Sequence, residues 1–294
     1  MSPNSASIVV VSDAQIKRFI VGVDGSAGGA AALRWAVALA AGVGAEVLAV
    51  NAYQHPYAEI SPEEHERQVD ERRALLNDEW VRPVGQAGVS VLTKVQQGDA
   101  RDIMAIAEDE GADLVVLGRT GQGGSPGFIH LGSVVEYVAH HSRLPLAIIP
   151  PYVSGSIERV ILGVDGSVES SAAIAWCVDH VGPTNAEIVA VTVREPYLEW
   201  TPRSTRNSWR GDIELEMKQW IDPISATGVA VTPIVERDRH PANCLLGVAS
   251  ARQGDLLVIG TRGAGGFTGL RLGGVAMKVM HGVAIPLVLV PPSG

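Results

Sequence analysis

The sequence predicts an α/β protein made of two tandem doubly wound domains, each a five-stranded, mostly parallel sheet with helices on both faces. Two observations predict it: the chain repeats itself, and each copy alternates β-branched runs with helical segments. Gly22-Val-Asp-Gly-Ser26 recurs as Gly163-Val-Asp-Gly-Ser167, and Asp113-Leu-Val-Val-Leu-Gly-Arg-Thr-Gly-Gln-Gly-Gly124 recurs as Asp255-Leu-Leu-Val-Ile-Gly-Thr-Arg-Gly-Ala-Gly-Gly266, about 141 residues on. Trp35 and Trp176 match at the same offset. Leu144-Pro-Leu-Ala-Ile-Ile-Pro-Pro151 is mirrored by Ile285-Pro-Leu-Val-Leu-Val-Pro-Pro292. The copies meet near Tyr152 to Ser156, which divides the chain into domains 1–152 and 153–294.

In the first copy, Phe19 to Val23 reads as a strand, Ala30 to Ala41 as an apolar helix and Glu46 to Ala52 as a second strand. Ser61-Pro-Glu-Glu64 supplies an N-cap, a proline at the first helical position and a capping-box glutamate. The charged segment to about Trp80 then fits a solvent-facing helix. Val89 to Val95, Ala100 to Glu110 and Leu114 to Leu117 continue the alternation. A glycine-rich loop, a helix from Ser133 to His141 and a strand, Leu146 to Ile149, complete it. The second copy keeps this order, and the stripe Trp209, Ile213, Met217 and Trp220 predicts a helix packed on its own sheet.

Composition narrows the function. Lys plus Arg total 23 against 32 Asp plus Glu, a net charge of −9, which disfavours a protein built to bind nucleic-acid backbone or an anionic membrane. Two cysteines, Cys177 and Cys244, exclude a disulfide framework and suit a reducing compartment. The run Ile8 to Val11 is too short for a signal sequence, and Arg34, Gly42, Gly44 and Glu46 interrupt the apolar stretch Ala30 to Val50. The expectation is a soluble, cytoplasmic protein.

In a doubly wound sheet the ligand crevice lies beyond the carboxyl ends of the strands, where the winding direction reverses. Asp24 and Asp165 follow the first strands of the copies. Gly118 and Gly260 follow the fourth strands and open glycine-rich loops, whose backbone is expected to approach a ligand closely and to adopt positive φ. Each loop runs into a helix start, at Ser133 and near Gly274, where unpaired N–H groups and the helix dipole attract an anion such as phosphate. Arg119 or Arg262 is expected to add a mobile positive charge. For the two aspartates, helix capping and ligand contact are compatible roles.

These motifs resemble the universal stress proteins in tandem form, each half covering one family domain almost end to end. The family's ATP signature is Gly, two residues, Gly, nine residues, Gly, then Ser or Thr. The first copy has Gly118, Gly121 and Gly132-Ser133, one residue longer. The second has Gly260, Gly263 and Gly273 at the family spacing, with Gly274 in place of the hydroxyl. The resemblance implies a Rossmann-like, adenine nucleotide alpha hydrolase-like fold and ATP, with magnesium, as ligand. It places Gly22, Val23, Asp24, Leu117 and the first loop, including Arg119, around one site, with Ala52 at the adenine edge and Val134 as a further contact. Gly163, Val164, Asp165, Val193, Ile259, Arg262 and Val275 are their counterparts in the second. It also implies that the two halves pair through their last strands like a fused dimer, that the chain forms a further homodimer, and that it acts on a protein partner.

Rival chemistries find no residues. The sequence has no Gly-x-x-x-x-Gly-Lys-Ser/Thr, no strand followed by Gly-x-Gly-x-x-Gly in register, and no HExxH or paired Cys-x-x-Cys for zinc. Ser26 and Ser167 lie outside Gly-x-Ser-x-Gly and are explained by capping. His140-His141 ends a helix, and Glu63, Glu64 and Asp70 to Arg73 form a solvated face. The resemblance then implies an ATP-binding regulator of the stress response or growth, with little or no hydrolysis expected for want of a dedicated base. The alternative is a nucleotide-free interaction module on the same fold. An ATP-using ligase or transferase would need further catalytic side chains, which the sequence does not offer.

Overall fold

The computed structural model describes residues 17–54, 61–85, 88–121, 131–153, 155–194, 203–264 and 271–292, with the side chains of 203–210 outside that description. The first copy runs β1 (Arg18–Gly22), α1 (Ala27–Val43), β2 (Glu46–Tyr53), α2 (Pro62–Ala74), β3 (Val91–Gln97), α3 (Ile103–Asp109), β4 (Leu114–Gly118), α4 (Ser133–His141) and β5 (Leu146–Ile149). The second runs β6 (Arg159–Gly163), α5 (Val168–His180), β7 (Glu187–Arg194), α6 (Arg203–Ser225), β8 (Val231–Arg237), α7 (Pro241–Ala251), β9 (Leu256–Gly260), α8 (Gly274–Gly282) and β10 (Leu287–Val290).

All ten strands form one sheet in the order β3-β2-β1-β4-β5-β10-β9-β6-β7-β8. Pairing within each copy is parallel, with Phe19 opposite Val47 on one side and Leu114 on the other. The two copies meet antiparallel, Leu287 opposite Ile148 and Leu289 opposite Leu146. The last strands, apolar and fully buried, therefore cover each other's edges, as the resemblance implies. An uncovered edge of this kind would pair with other chains.

Strands buried on both faces read as continuous apolar runs, and β1, β4, β6 and β9 do. One face packs under α1, α5 and α6, with Trp35 and Trp176 deep in it. The other packs under α3, α4, α7 and α8. On α6, Ile213 and Met217 are buried and Trp220 packs beside them, so that stripe faces its own sheet; the Trp209 side chain lies outside the described residues. Cys177 is a buried core residue, and its burial holds the thiol pKa well above the ordinary range. No helix among the described residues is long and apolar enough to cross a membrane.

The charged helix differs in detail from its sequence reading. Ser61 caps it, its Oγ accepting from the Glu64 amide at 3.2 Å, and α2 buries no residue. Beyond Ala74 the backbone widens to a π-helical turn, Leu75–Val81, which swings Leu76 and Val81 into the core, and then tightens through a 3-10 turn at Arg82–Val84. Pro83 has no N–H to continue an α-helical ladder there. The helix expected from Ala100 likewise opens with a 3-10 turn, where Asp99 and Asp102 form a reciprocal capping box.

Candidate functional site

β1 has β2 on one side and β4 on the other, so the chain reverses its winding between β1 and β4, as it does again between β6 and β9. A cleft opens beyond each pair of strand ends, with volumes of about 460 Å³ in the first copy and about 530 Å³ in the second. Both lie within the usual range for small-molecule sites, roughly 300–1,000 Å³.

At the end of β1, the Val23 amide donates to the Val50 carbonyl at 2.9 Å, and buried Asn51 donates to the Val23 carbonyl at 2.7 Å. This fixes Asp24 at the cleft floor. Asp24 Oδ1 accepts from the Ser26 amide at 3.0 Å and from Ser26 Oγ–H at 2.6 Å, and Ser26 Oγ in turn accepts from the Gly29 amide, capping α1. Asp165, Ser167 and Ser170 repeat the arrangement on α5. The serines are thus capping groups, and each aspartate has a local role while its carboxylate lines a cleft. In the second copy Asp165 Oδ2 also accepts from the Ala264 amide at 2.9 Å, tying it to the glycine loop.

Each loop is closed at its base. The Gly132 amide donates to the Arg119 carbonyl at 2.9 Å, and the Gly273 amide to the Thr261 carbonyl at 2.8 Å. Among the described residues, positive φ occurs at Gly25 (80°) and Gly166 (82°), in the Asp-Gly-Ser turns, and not at Gly118, Gly121, Gly132, Gly260, Gly263 or Gly273. The other loop glycines, 123, 124, 127, 265, 266 and 269, lie outside the described residues. Among the described residues the loop glycines serve close approach. A Cβ on Gly118 would lie 2.4 Å from the Gly28 backbone, and one on Gly121 would lie 2.6 Å from Asp24 Oδ2.

Gly132 and Gly273 are the N-cap residues of α4 and α8 and supply no side-chain cap, unlike Ser26, Ser61 and Ser167. The first-turn residues of these two helices, 133–135 and 274–276, line the clefts. Uncapped first-turn amides carry the positive end of the helix dipole and accept an anion in place of a side chain.

Gly22, Val23, Asp24, Ala52, Leu117, Gly118, Gly121, Gly132, Ser133 and Val134 all line the first cleft. Gly163, Val164, Asp165, Val193, Ile259, Gly260, Arg262, Gly263, Gly273, Gly274 and Val275 line the second. Arg119 is the exception. Its side chain is 1% exposed and runs away from the cleft to the second copy, donating to the carbonyls of Met280, His281 and Val283 at 3.2, 2.5 and 2.8 Å. The expected mobile charge is instead a buried cap on the C-terminus of α8. Arg262 does line its cleft but is held by Glu169, its Nε donating at 2.6 Å.

The sequence reading missed Arg194, Arg239, His240 and Lys278, all in the second wall. They come from three separated segments, and comparing the copies position by position was the signal that could have found them.

The Universal stress protein family model matches residues 15–150 and 156–291. A universal stress protein of Mycolicibacterium smegmatis is 26% identical over 93% of this chain and 96% of its own. One from Mycobacterium tuberculosis strain H37Rv is 28% identical over the same shares. The crystal structure of a universal stress protein from Archaeoglobus fulgidus, 20% identical, superposes with a TM-score of 0.74 over 95% of this chain and 100% of that one, a likeness of fold. With two family domains in tandem covering nearly its whole length, the chain belongs to the universal stress protein family.

Proposed function

We propose that the protein binds ATP in at least one of its clefts and acts as a nucleotide-dependent regulator of the stress response or growth, with little or no hydrolysis. The observation that carries this reading is the pair of uncapped helix N-termini, each opening on a cleft at a strand switch point and faced by an aspartate. Phosphates would lie on the first-turn amides and the loop, and the adenine edge along the main chain at Ala52 or Val193. Occupancy would order the loops and bias the surface offered to a protein partner or a second copy.

Among the described residues, no group of three or more His, Cys, Asp and Glu is placed to hold a metal ion. Magnesium commonly needs only one or two carboxylates beside the phosphates, so Asp24 or Asp165 fits it when it arrives with the nucleotide. Bound there, it would neutralise phosphate charge. Asp24 is the single titratable side chain among the described residues of the first wall, and it is already engaged by Ser26. Hydrolysis needs a base positioned on water; this carboxylate, and Asp165 in the second cleft, which accepts from Ser167 and from the Ala264 amide, are poorly suited to that.

The test is a thermal and calorimetric titration of the full chain with ATP and magnesium. Ligand at 100 times its dissociation constant adds about 2.7 kcal/mol of stability. Asp24→Asn with Asp165→Asn keeps an acceptor for each serine and removes the charge. The doubly substituted chain should melt near the parent without ligand and lose most of the shift with it. Absence of any shift in the parent chain would favour the nucleotide-free interaction module.

A further inference from the structure

We propose that the two clefts are specialised for ligands of different charge: the second for an adenine nucleotide with two or more phosphates, the first for an adenine ligand bearing at most one negative charge. The inference rests on the reading of both clefts as adenine sites and assigns each its ligand class.

The two walls share their floor, an aspartate after the first strand and an uncapped helix N-terminus opposite. They differ in charge. Arg194, Arg262 and Lys278 stand in the second wall where Tyr53, Thr120 and Tyr137 stand in the first copy. The connection from β8 into α7, Arg237 to Leu245, is two residues longer than its counterpart from Gln97 to Ile103, and it brings Arg239 and His240 to the rim. The equivalent stretch of the first copy holds one cation, Arg101. Both oxygens of Asp99 bind its guanidinium, at 2.8 and 2.6 Å, and it lies over the Tyr137 ring at 5.3 Å. Among the described residues, the first wall contains no lysine or arginine side chain. Segments 55–60 and 122–130, outside the described residues, contain neither residue type in their sequence.

In the second cleft, Arg262 is paired with Glu169, and Arg194 lies 3.7 Å from Glu216 and over the Trp220 ring. Arg239 and Lys278 are exposed and have no carboxylate partner among the described residues. Two uncompensated cations at a rim, beside a helix N-terminus, attract each further phosphate charge. Among the described residues, the first cleft offers an anion the dipole, the backbone amides and the hydroxyl residues Thr120 and Ser133, opposed by Asp24. Extra phosphates there gain little and repel the carboxylate.

The experiment is a heteronuclear NMR titration of the full chain with magnesium-free ATP and, separately, adenosine, following the Val134 and Val275 amides as reporters of the two clefts. ATP should shift Val275 at a concentration at least about ten-fold below that needed for Val134, with the gap narrowing as salt rises. Adenosine should show a gap under about three-fold. Arg239→Ala with Lys278→Ala, both surface changes, should bring the ATP gap to about that of adenosine. Equal ATP response of both amides in the parent, or a gap that survives the double substitution, would overturn the proposal while leaving the nucleotide reading intact. If neither ligand moves either amide, the nucleotide reading falls, and this proposal with it.

Discussion

Arg119 Nη1 donates a hydrogen bond of 2.8 Å to the carbonyl of Val283, 164 positions along the chain and in the other copy. The backbone of Arg119 anchors the first glycine loop, and its guanidinium caps α8, whose opposite end forms part of the second cleft. The reverse contact is made by Arg271, just before α8, which donates to the His141 carbonyl at the end of α4 at 2.7 Å. Each cleft helix is therefore finished at its C-terminus by an arginine of the other copy, where positive charge meets the exposed carbonyls and the dipole.

Replacing Arg119 tests the weight of that contact. Arg119→Leu leaves the buried last-turn carbonyls of α8 without their charged donor, a loss of about 2–3 kcal/mol. The check is the urea midpoint at constant slope. An unchanged midpoint would mean that water or a neighbouring group replaces the guanidinium.

His180 makes stability depend on pH. It is buried against Trp176, with ring centroids 4.8 Å apart, and near Phe19 of the other copy. Burial first, then the charge of Lys17, pushes its pKa down to about 4. Because the folded pKa lies below the unfolded value near 6.5, the unfolded chain binds the extra proton in between. Stability is whole above pH 6.5 and falls as the pH drops towards 4, by up to roughly 3 kcal/mol. The lowered carboxyls Asp99, Glu63 and Glu110 act from still lower starting values, so the His180 contribution starts to be lost before theirs, between pH 6.5 and 5. His180→Phe, which keeps a ring there, should flatten that segment in melts at pH 7, 6 and 5.

Two glycine-to-alanine changes should move stability in opposite directions. A Cβ on Gly118 meets the Gly28 carbonyl carbon at 2.4 Å and its oxygen at 2.5 Å, backbone that cannot swing aside. Gly118→Ala should cost about 1–3 kcal/mol by overpacking. Gly247 lies inside α7 with open space around it. Gly247→Ala should stabilise by about 0.5–1 kcal/mol. Denaturant curves measure both, and a neutral Gly118→Ala would contradict the close approach of loop and helix.

The repeat and the apolar runs made the sheet legible, because a strand buried on both faces must be apolar throughout and the second copy reads like the first. The positions around Asp24 and Gly132 were legible for a related reason: strand ends and helix starts are marked by Asp-Gly-Ser and glycine. The orientation of Arg119 was not. Its target is α8 of the other copy, and no local pattern names a partner 164 residues away. The π-helical turn at Leu75–Val81 was also hidden, since its apolar spacing reads equally well as an α-helix. Gly274 lacks the hydroxyl that Ser133 supplies in the first copy, which by itself favours the first copy for phosphate. The cations of the second wall, spread over β7, the β8–α7 connection and α8, point the other way.

The most direct measurement is a crystal structure of the full chain grown with ATP and magnesium. The account predicts triphosphate density on the first-turn amides of α8, facing Asp165 and within reach of Arg239 and Lys278. ATP bound at another surface, or a second cleft filled by the chain's own side chains at saturating nucleotide, would contradict it.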